Sequence, residues 1–417
     1  MSTAAPPHRP LDQRDTEPAV LLLWSARDEW EERAVRDGLL ASVRAGLPPR
    51  RAVHHGSPAG PVRGAVVTTP ARAATDLSTA GARAVRPEGP RPIAFLLPGQ
   101  GSQYTGMGTA LYRYAPVFRD AVDEVFRLWG AEGAEIRRDW LAGDDHAANV
   151  AIDDVRRAQP LLFAVDYGLG RLLLSLGVEP AAMLGHSAGE VVAATLAGVF
   201  TLDDAVDVVC HRVLAAVPIP PGGMVAVSAS EHELRPYLVG EVAVAAVNAS
   251  RQTMLAGPGP QLDEVISRLL RDEFTLRSVP ATTPFHCPAM APAVAAAEAN
   301  FTAVPRPPRW PVWSGYTGKR LADSEARSPG FWARQLAATV YFGAALEALL
   351  GEGDRFLIEV GPGQTLTAFA RRQKALRRGE SRVQPMLPGA GVPDDAAVLA
   401  LVGTLWTEGH EPRWAEL

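Results

Sequence analysis

Hydrophobic positions along the chain follow two recurring patterns. Apolar runs, such as 93–97 and the core of the segment at 355–360, are typical of strands buried on both faces of a parallel sheet. Segments with apolar residues three and four positions apart, such as 29–43 and 260–271, predict helices with one buried face. A longer apolar segment at 161–176 predicts a buried helix. The patterns alternate along most of the chain, which predicts an α/β fold.

One stretch departs from this alternation. A break rich in proline and glycine at 218–223 precedes a run of short elements in the order βαββαβ. The predicted strands and helices lie at 224–228, 231–238, 242–247, 253–257, 260–271 and 274–279. This order is typical of a ferredoxin-like α+β unit. Because the longer α/β pattern resumes afterwards, we expect this unit to be inserted into a larger subdomain with a parallel sheet.

The patterns divide the chain into five segments. They are a disordered N-terminus at 1–18, a small α+β unit at 19–90, a large α/β subdomain at 91–222 and 281–380, a ferredoxin-like subdomain at 223–280 and a C-terminal segment at 381–417. The first segment offers almost nothing to bury, so we expect disorder there. The elements expected in the small unit are strands at 19–24 and 64–68, helices at 29–43 and 76–85 and a loop at 48–60.

Composition narrows the class of protein. The chain has 417 residues, of which 47% are hydrophobic and 21% are charged, so it can bury a large core. Its formal net charge of −5 includes no basic excess, which argues against nucleic-acid binding. No apolar run is long enough to span a bilayer, and the N-terminus lacks the apolar core of a signal peptide. We therefore expect a cytoplasmic protein that binds neither nucleic acid nor membrane.

The cysteines carry no structural or metal signature. Cys210 and Cys287 form neither a CxxC pair nor the spacing of a metal site. This usage indicates reduced thiols and no disulfide.

A short motif at 185–189 is the main candidate for chemistry. It places Ser187 between two glycines, after an apolar run and before a segment that predicts a buried helix. A serine at such a strand-to-helix turn is a nucleophile elbow, which makes the large subdomain α/β-hydrolase-like. Backbone N–H groups and the helix dipole can stabilise an oxyanion beside the serine. Chance occurrence in a chain rich in glycine and alanine is the alternative reading of this motif alone.

Two further features can complete such a site. The glycine-punctuated turn at 98–103 matches no phosphate-binding fingerprint, and it can direct the backbone N–H of Gln100 at a reacting centre. A serine nucleophile also needs a base. His286 lies where the chain re-enters the large subdomain, between two prolines that restrict the backbone. On the sequence alone, an ordinary loop histidine remains the alternative for His286.

Several motifs in register resemble one known family. They are residues 95–103, Gln159 with Pro160, 185–190, Asn248, Phe285 with His286, 317–318, 334–336 and 359–362. Together they resemble the acyltransferases that comprise malonyl-CoA:acyl-carrier-protein transacylases and the acyltransferase domains of modular polyketide synthases. The resemblance runs from about 93 to 372, and the flanks resemble a shortened ketosynthase-to-acyltransferase linker and a post-acyltransferase linker. It implies a discrete, trans-acting acyltransferase or an excised domain.

The resemblance implies a role for each matched residue. Ser187 is the expected nucleophile, His286 its general base, and Gln335 the residue that holds the histidine in place. The backbone amides of Gln100 and Ala188 are expected to form the oxyanion hole. The residues expected to bind substrate are Arg212, Gln159, Thr283, Phe285 and Asn248. Arg212 is matched to the arginine that binds the free carboxylate of malonyl-type donors, a task suited to a planar guanidinium.

The implied activity is transfer of a malonyl-type extender unit from coenzyme A to the phosphopantetheine thiol of an acyl carrier protein. In the family this transfer serves polyketide and antibiotic biosynthesis. The implied mechanism is ping-pong, with a Ser187 ester as the intermediate. No metal or redox cofactor is expected. The expected partners are the acyl-CoA, the acyl carrier protein, and ketosynthase or other polyketide synthase modules.

The substrate prediction is limited by departures from the family pattern. Residues 283–286 match neither the His-Ala-Phe-His of many malonyl-selective domains nor the Tyr-Ala-Ser-His of methylmalonyl-selective ones. Phe285 favours a small α-substituent, whereas Thr283 and Pro284 fit neither pattern. Ala188 is smaller than the residues common at that position, which enlarges or repacks the pocket. Malonyl is the first choice, and a methoxy-, hydroxy- or aminomalonyl unit, delivered by coenzyme A or a carrier protein, stays open.

Two other classes also stay open. An α/β-hydrolase-type thioesterase shares the elbow but needs an acidic residue between serine and histidine, and usually a glycine-rich oxyanion loop. An inactive remnant that only docks carrier proteins is the second alternative. Retention of Ser187, His286, Arg212 and Gln335 together argues against it.

Overall fold

The structure is a computed structural model that describes residues 17–46, 51–56, 60–143, 149–389 and 391–414. The disorder predicted for 1–18 lies outside the described residues, apart from the last two positions. Two compact units are present. One contains the described residues up to Glu88 together with Val402–His410, and the other contains Gly89–Leu401 and the described residues from Glu411.

The first unit is built around a four-stranded sheet. Its elements before Glu88 are β1 (Val20–Ala26), α1 (Glu29–Ala45), β2 (Ala52–Gly56), β3 (Val62–Thr68), α2 (Ala73–Thr79) and β4 (Ala82–Ala84). The strand order is β2-β1-β3-β4, with β1 and β2 parallel and the other pairs antiparallel. Its core is formed by Trp24, Leu39 and Leu77, which are fully or almost fully buried.

Two predictions for this unit were wrong. The predicted loop at 48–60 contains β2, which pairs with β1 from Leu21 opposite Ala52. Positions 48–50 and 57–59 of that loop lie outside the described residues. The helix predicted at 76–85 ends at Thr79, and β4 then pairs with β3. In both places, pairing with a distant strand overrides local composition, which is common for short strands.

The second unit begins with a strand and a run of helices. They are β5 (Ile93–Leu97), α3 (Thr109–Tyr114), α4 (Pro116–Leu128), α5 (Ala131–Ala142), α6 (Val155–Ser175), β6 (Ala182–Gly185), α7 (Gly189–Leu196) and α8 (Leu202–Ala216). The smaller elements that follow are β7 (Gly222–Val227), α9 (Glu231–Leu234), β8 (Ala243–Ala249), β9 (Gln252–Pro258), α10 (Gly259–Arg271) and β10 (Leu276–Val279).

The remaining elements return to the large sheet. They are α11 (Ala291–Ala299), β11 (Val312–Ser314), β12 (Lys319–Arg320), α12 (Asp323–Ala326), α13 (Pro329–Arg334), α14 (Phe342–Gly351), β13 (Phe356–Pro362), α15 (Thr365–Ala370), α16 (Lys374–Arg377), β14 (Arg382–Leu387) and α17 (Asp394–Thr407). None of the described helices combines the length and apolar character that a membrane span needs.

The large sheet has the order β12-β11-β6-β5-β13-β14 and is parallel except for β12. Its central strands β5 and β6 run side by side, with Leu97 opposite Gly185. The carboxyl ends of both strands therefore open at the same edge of the sheet. Ligands of open α/β sheets bind at this kind of edge.

The smaller sheet has the order β10-β7-β9-β8 and is antiparallel throughout. This is the ferredoxin-like arrangement that the βαββαβ pattern predicted, so the α/β fold with a ferredoxin-like insertion is confirmed. Strand β8 also contacts the large subdomain, because the backbone N–H of Val340 donates to the carbonyl of Ala245 at 2.9 Å. That contact fixes residues 337–341 beside the small sheet.

Helix α6 and strand β14 differ from the sequence patterns. Helix α6 starts at Val155, six residues before the predicted start at 161, because the Asp154 side chain caps it and Pro160 is tolerated inside the buried helix. Strand β14 was not predicted and lies within the segment assigned to 381–417. Its Pro385 suits an edge strand, where a missing N–H costs least.

Candidate active site

The Ser187 turn joins β6 to α7 at the carboxyl edge of the large sheet. Ser187 has a φ of 53°, a strained value for a residue with a side chain. Gly189 is required because a Cβ there would lie 2.2 Å from the carbonyl oxygen of Leu97. The turn therefore presents the serine hydroxyl at the start of a helix, as expected for a nucleophile elbow.

Ser187 is hydrogen-bonded to His286, which comes from the segment after the ferredoxin-like insertion. The serine hydroxyl donates to Nε2 of His286 at 2.7 Å, and Nδ1 donates to the carbonyl oxygen of Ala338 at 2.9 Å. A carbonyl only accepts, so the proton of the neutral ring must be on Nδ1. This leaves Nε2 able to accept the serine proton, which is the geometry of a nucleophile with its general base.

The surroundings of His286 keep its ring neutral. Burial, with a smaller contribution from the nearby His186, lowers the pKa of His286 to about 3, and the backbone of Ala338 and Gln335 acts in the opposite direction. A neutral imidazole is available as a base at any pH well above that value. His186 itself lies beside the ring of Phe342 and donates from Nε2 to Oδ1 of Asn248 at 2.8 Å.

The Gln335 side chain has two partners, neither of which is His286. Its Oε1 accepts a hydrogen bond from Arg212 at 3.0 Å, and its Nε2 donates to Glu190 at 3.2 Å. The histidine is oriented by backbone groups instead, because helix α13 ends just before Gln335 and the following turn directs its carbonyls at the ring. Gln335 therefore positions Arg212 by its side chain and reaches His286 only by its backbone.

Arg212 brings a positive charge into the same interior. The residue is 4% exposed and forms no salt bridge with any described residue. Its nearest acidic neighbour is Glu190, which accepts from the Gly315 N–H at 3.0 Å. Burial raises the pKa of Glu190 to about 8, so this carboxyl is largely protonated at neutral pH. The guanidinium charge is thus left for an anionic ligand to balance.

The amides predicted for the oxyanion hole lie beside Ser187. Gly99 of the loop after β5 is so close to the elbow that a Cβ there would lie 2.5 Å from the His186 carbonyl oxygen. Within the described residues, the backbone N–H groups of Gln100 and Ala188 donate to no hydrogen bond. One such donor at the start of α7 and one in the loop after β5 suit a developing oxyanion.

The other predicted substrate residues are Gln159, Thr283, Phe285 and Asn248, and each has different surroundings. The Nε2 of Gln159 donates to Oε1 of Gln100 at 3.4 Å, and Gln159 lines a small cavity of about 10 Å³ together with Ala188 and Arg212. Thr283 and Phe285 are buried in the segment that leads to His286. The Oδ1 of Asn248 already accepts a hydrogen bond from His186, the residue before Ser187.

Sequence reasoning missed two residues of this centre. Glu190 belongs to the elbow motif, but nothing in the motif indicated that it would face Arg212. Tyr316 follows β11 and brings its ring within 6.1 Å of the His286 ring, centroid to centroid. Its neighbours at 317–318 matched the family, which was the available signal. Across the described residues, no group of three His, Cys, Asp or Glu side chains is arranged to hold a metal ion.

Relatives of known sequence carry the same domain. The acyl transferase domain family matches residues 94–413. The chain is 35% identical over 325 residues to a component of the phenolphthiocerol/phthiocerol polyketide synthase of Mycobacterium tuberculosis, a match that covers 77% of this chain and 22% of that protein. It is 33% identical over 393 residues to the spectinabilin polyketide synthase system protein NorB of Streptomyces orinoci, covering 90% of this chain and 17% of that protein. The chain therefore spans about a fifth of the length of these relatives.

Solved structures agree with the sequence comparison. The acyl transferase domain of SpnD, in complex with 2-(pent-4-yn-1-yl)malonyl, is 28% identical with a TM-score of 0.82, over 95% of this chain and 97% of that chain. The acyltransferase domain from the second module of the salinomycin polyketide synthase is 29% identical with a TM-score of 0.74, over 95% and 85%. Since sequence and fold lead to the same relatives, the chain belongs to the acyl transferase domain family.

Proposed function

We propose that the protein transfers a malonyl-type acyl group from coenzyme A to the phosphopantetheine thiol of an acyl carrier protein, in polyketide biosynthesis. The observation that carries this proposal is the buried Arg212, which has no salt bridge among the described residues and lies near His286, the hydrogen-bond partner of Ser187. A buried charge without a counter-ion is costly. The carboxylate of a malonyl-type donor would supply that counter-ion.

The relatives support the substrate class and the partner. The SpnD domain holds a substituted malonyl group, and the similar full-length proteins are polyketide synthases. We therefore take the acceptor to be a carrier protein and expect ketosynthase or other synthase modules as further partners.

In the first half-reaction, Ser187 attacks the thioester carbonyl while Nε2 of His286 takes the hydroxyl proton. The carbonyl oxygen becomes an oxyanion, and the N–H groups of Gln100 and Ala188 stabilise it. When the carbon–sulfur bond breaks, the proton on Nε2 goes to the coenzyme A sulfur. The product is a Ser187 ester whose free carboxylate pairs with Arg212.

The second half-reaction reverses these steps with another thiol. The phosphopantetheine sulfur loses its proton to His286 and attacks the ester carbonyl, and the same N–H groups stabilise the oxyanion. Collapse breaks the bond to Ser187 Oγ, which recovers the proton from His286. The acyl group leaves as a new thioester, and the enzyme is regenerated without a metal or redox cofactor.

Intact-protein mass after brief incubation with acyl-CoA thioesters tests this proposal. The donors are acetyl-, malonyl-, methylmalonyl- and hydroxymalonyl-CoA, and the variants are Ser187→Ala, Arg212→Ala and, as a control, the exposed Arg235→Ala. We expect a malonyl adduct that Ser187→Ala abolishes and that Arg212→Ala replaces with an acetyl adduct. Arg235→Ala should load like the parent protein.

Other outcomes identify the alternatives. An adduct from substituted malonyl donors alone changes the α-substituent and keeps the mechanism. Fast release of free acid without transfer to a carrier protein indicates a thioesterase. No adduct from coenzyme A donors leads to a repeat with acyl-carrier-protein donors. If these also fail to load Ser187, the protein is an inactive docking remnant and the proposal is wrong.

A further inference from the structure

Tyr316 lies in the active site and has no part in the mechanism derived above. It follows β11, which pairs with β6 next to the elbow. Its backbone N–H donates to Oγ of Ser314 at 3.1 Å, and the Gly318 N–H donates to the Ser314 carbonyl at 2.9 Å. These two hydrogen bonds fix the turn that carries Tyr316, and the ring of Tyr316 lies 6.1 Å from the His286 ring, centroid to centroid.

The Tyr316 hydroxyl is buried and makes no well-formed hydrogen bond within the described residues. The side chains of Ser187 and Arg212 nevertheless lie close enough to lower its pKa, against the larger effect of burial, which raises it. The hydroxyl therefore remains a neutral phenol at physiological pH and can donate. A buried polar group without a partner is uncommon and requires an explanation.

Two of the groups near this hydroxyl, Ser187 and Arg212, mark the two ends of a malonyl-type group. In such a group, the acyl carbonyl lies at Ser187 and the free carboxylate at Arg212, and a single carbon separates the two. The Tyr316 hydroxyl is close to both Ser187 and Arg212, so it lies beside an acyl group that extends between them. Arg212 already donates one N–H to Gln335. A carboxylate has about four lone-pair sites, so a second donor beside Arg212 finds an acceptor there.

We propose that Tyr316 is a specificity-determining residue whose hydroxyl donates a hydrogen bond to the free carboxylate of the acyl group bound at Arg212. The inference rests on the proposed function, since it needs a dicarboxylic acyl donor. The bond is absent for acetyl-CoA, which has no carboxylate. Tyr316 thus contributes to discrimination between malonyl and acetyl donors. Arg212 discriminates by its charge, and Tyr316 adds a hydrogen bond that only a donor with a carboxylate can accept.

Tyr316→Phe tests this because it removes the hydroxyl and keeps the ring. The matched control is Tyr341→Phe, at a partly exposed tyrosine whose backbone N–H donates to the carbonyl of Gly315, next to Tyr316. Single-turnover loading of Ser187 by malonyl-CoA and by acetyl-CoA is followed by intact mass, with kcat/KM for each donor. Unfolding midpoints confirm that the variants fold, and Tyr316→Leu repeats the test if the Phe variant is unstable.

We expect Tyr316→Phe to lower kcat/KM for malonyl-CoA by about tenfold or more, mainly through KM, and to leave acetyl loading unchanged. A lost hydrogen bond to a charged group has an effect of this size. Equal losses for both donors, or no loss for malonyl-CoA, would overturn the inference. If the parent loads malonyl-CoA in an Arg212-dependent way and Tyr316→Phe is unaffected, only this inference is wrong. If the parent loads no dicarboxylic donor, the proposed function is wrong and this inference with it.

Discussion

The guanidinium of Arg212 donates a hydrogen bond to the side-chain oxygen of Gln335 at 3.0 Å, although 123 residues separate them in the sequence. Gln335 also donates to Glu190, so one buried amide orients both the cation and its acidic neighbour. The amide cannot hold the histidine ring at the same time. Gln335 is therefore a positioning residue for Arg212.

Replacing Gln335 shows whether its side chain acts on Arg212 or on His286. In Gln335→Met, Arg212 loses its acceptor while the side-chain volume is retained, so we expect KM for malonyl-CoA to rise about tenfold with kcat little changed. One lost hydrogen bond to a charged group has roughly this effect. Steady-state kinetics with malonyl- and acetyl-CoA checks it, with the neighbouring exposed Arg334→Ala as control. An equal fall in acetyl loading would show instead that the side chain acts on His286.

The acid limb of catalysis should lie far below the usual range for histidine. Since burial lowers the pKa of His286 to about 3, the base stays neutral through the range in which an exposed histidine titrates. The rate constant for Ser187 acylation should therefore vary less than about twofold between pH 5 and 7, in contrast to a base of pKa about 6.5. Rapid-quench measurements of the acyl-enzyme across this range test it. A tenfold fall from pH 7 to 5, without unfolding, contradicts it.

Alkaline pH should weaken binding of the donor carboxylate. Burial raises the pKa of Glu190 to about 8, so above that pH a carboxylate forms next to Arg212 and partly neutralises its charge. We expect KM for malonyl-CoA to rise several-fold between pH 7 and 9, with acetyl-CoA loading as the internal control. Glu190→Gln cannot ionise and should flatten the profile. A rise of equal size in that variant would assign the effect to another group.

A stability prediction concerns Asp166 in helix α6. The residue is fully buried, neither carboxyl oxygen has a hydrogen-bond partner within the described residues, and Glu359 lies nearby. Burial, with a smaller effect of Glu359, raises the pKa of Asp166 well above its usual value. The unfolded chain thus releases this proton at lower pH than the folded one, and the carboxyl destabilises the fold increasingly as pH rises above 4.

Asp166→Asn removes the ionisation and should increase the free energy of unfolding at pH 8 by at least about 1 kcal/mol, because each unit by which the folded pKa exceeds the unfolded one corresponds to about 1.4 kcal/mol. The increase should shrink toward pH 4. Urea unfolding at several pH values measures both, and the exposed Asp120→Asn serves as control. A variant less stable than the parent at pH 8 would indicate that the Asp166 carboxylate has a stabilising partner in solution.

The fold was predictable where local patterns suffice. The apolar runs of β5 and β13, the elbow at 185–189 and the βαββαβ order of the insertion all reflect interactions of short range or repeated period. Strand β2 was missed because it is short and poor in apolar residues, and β14 because Pro385 interrupts it. They exist because a neighbouring strand offers its hydrogen-bonding edge, which no local pattern records.

The sequence by itself determined the elbow, since only glycine fits the close approach at Gly189, and the fold class, since hydrophobic periodicity selects it. The resemblance added the pairing of Ser187 with His286. Tertiary structure decided which polar groups meet: Ala338 with His286, Gln335 with Arg212, and Tyr316 with Ser187 and Arg212. The physical reason is that burial makes these few contacts strong, while the residues that form them come from separate elements of the chain.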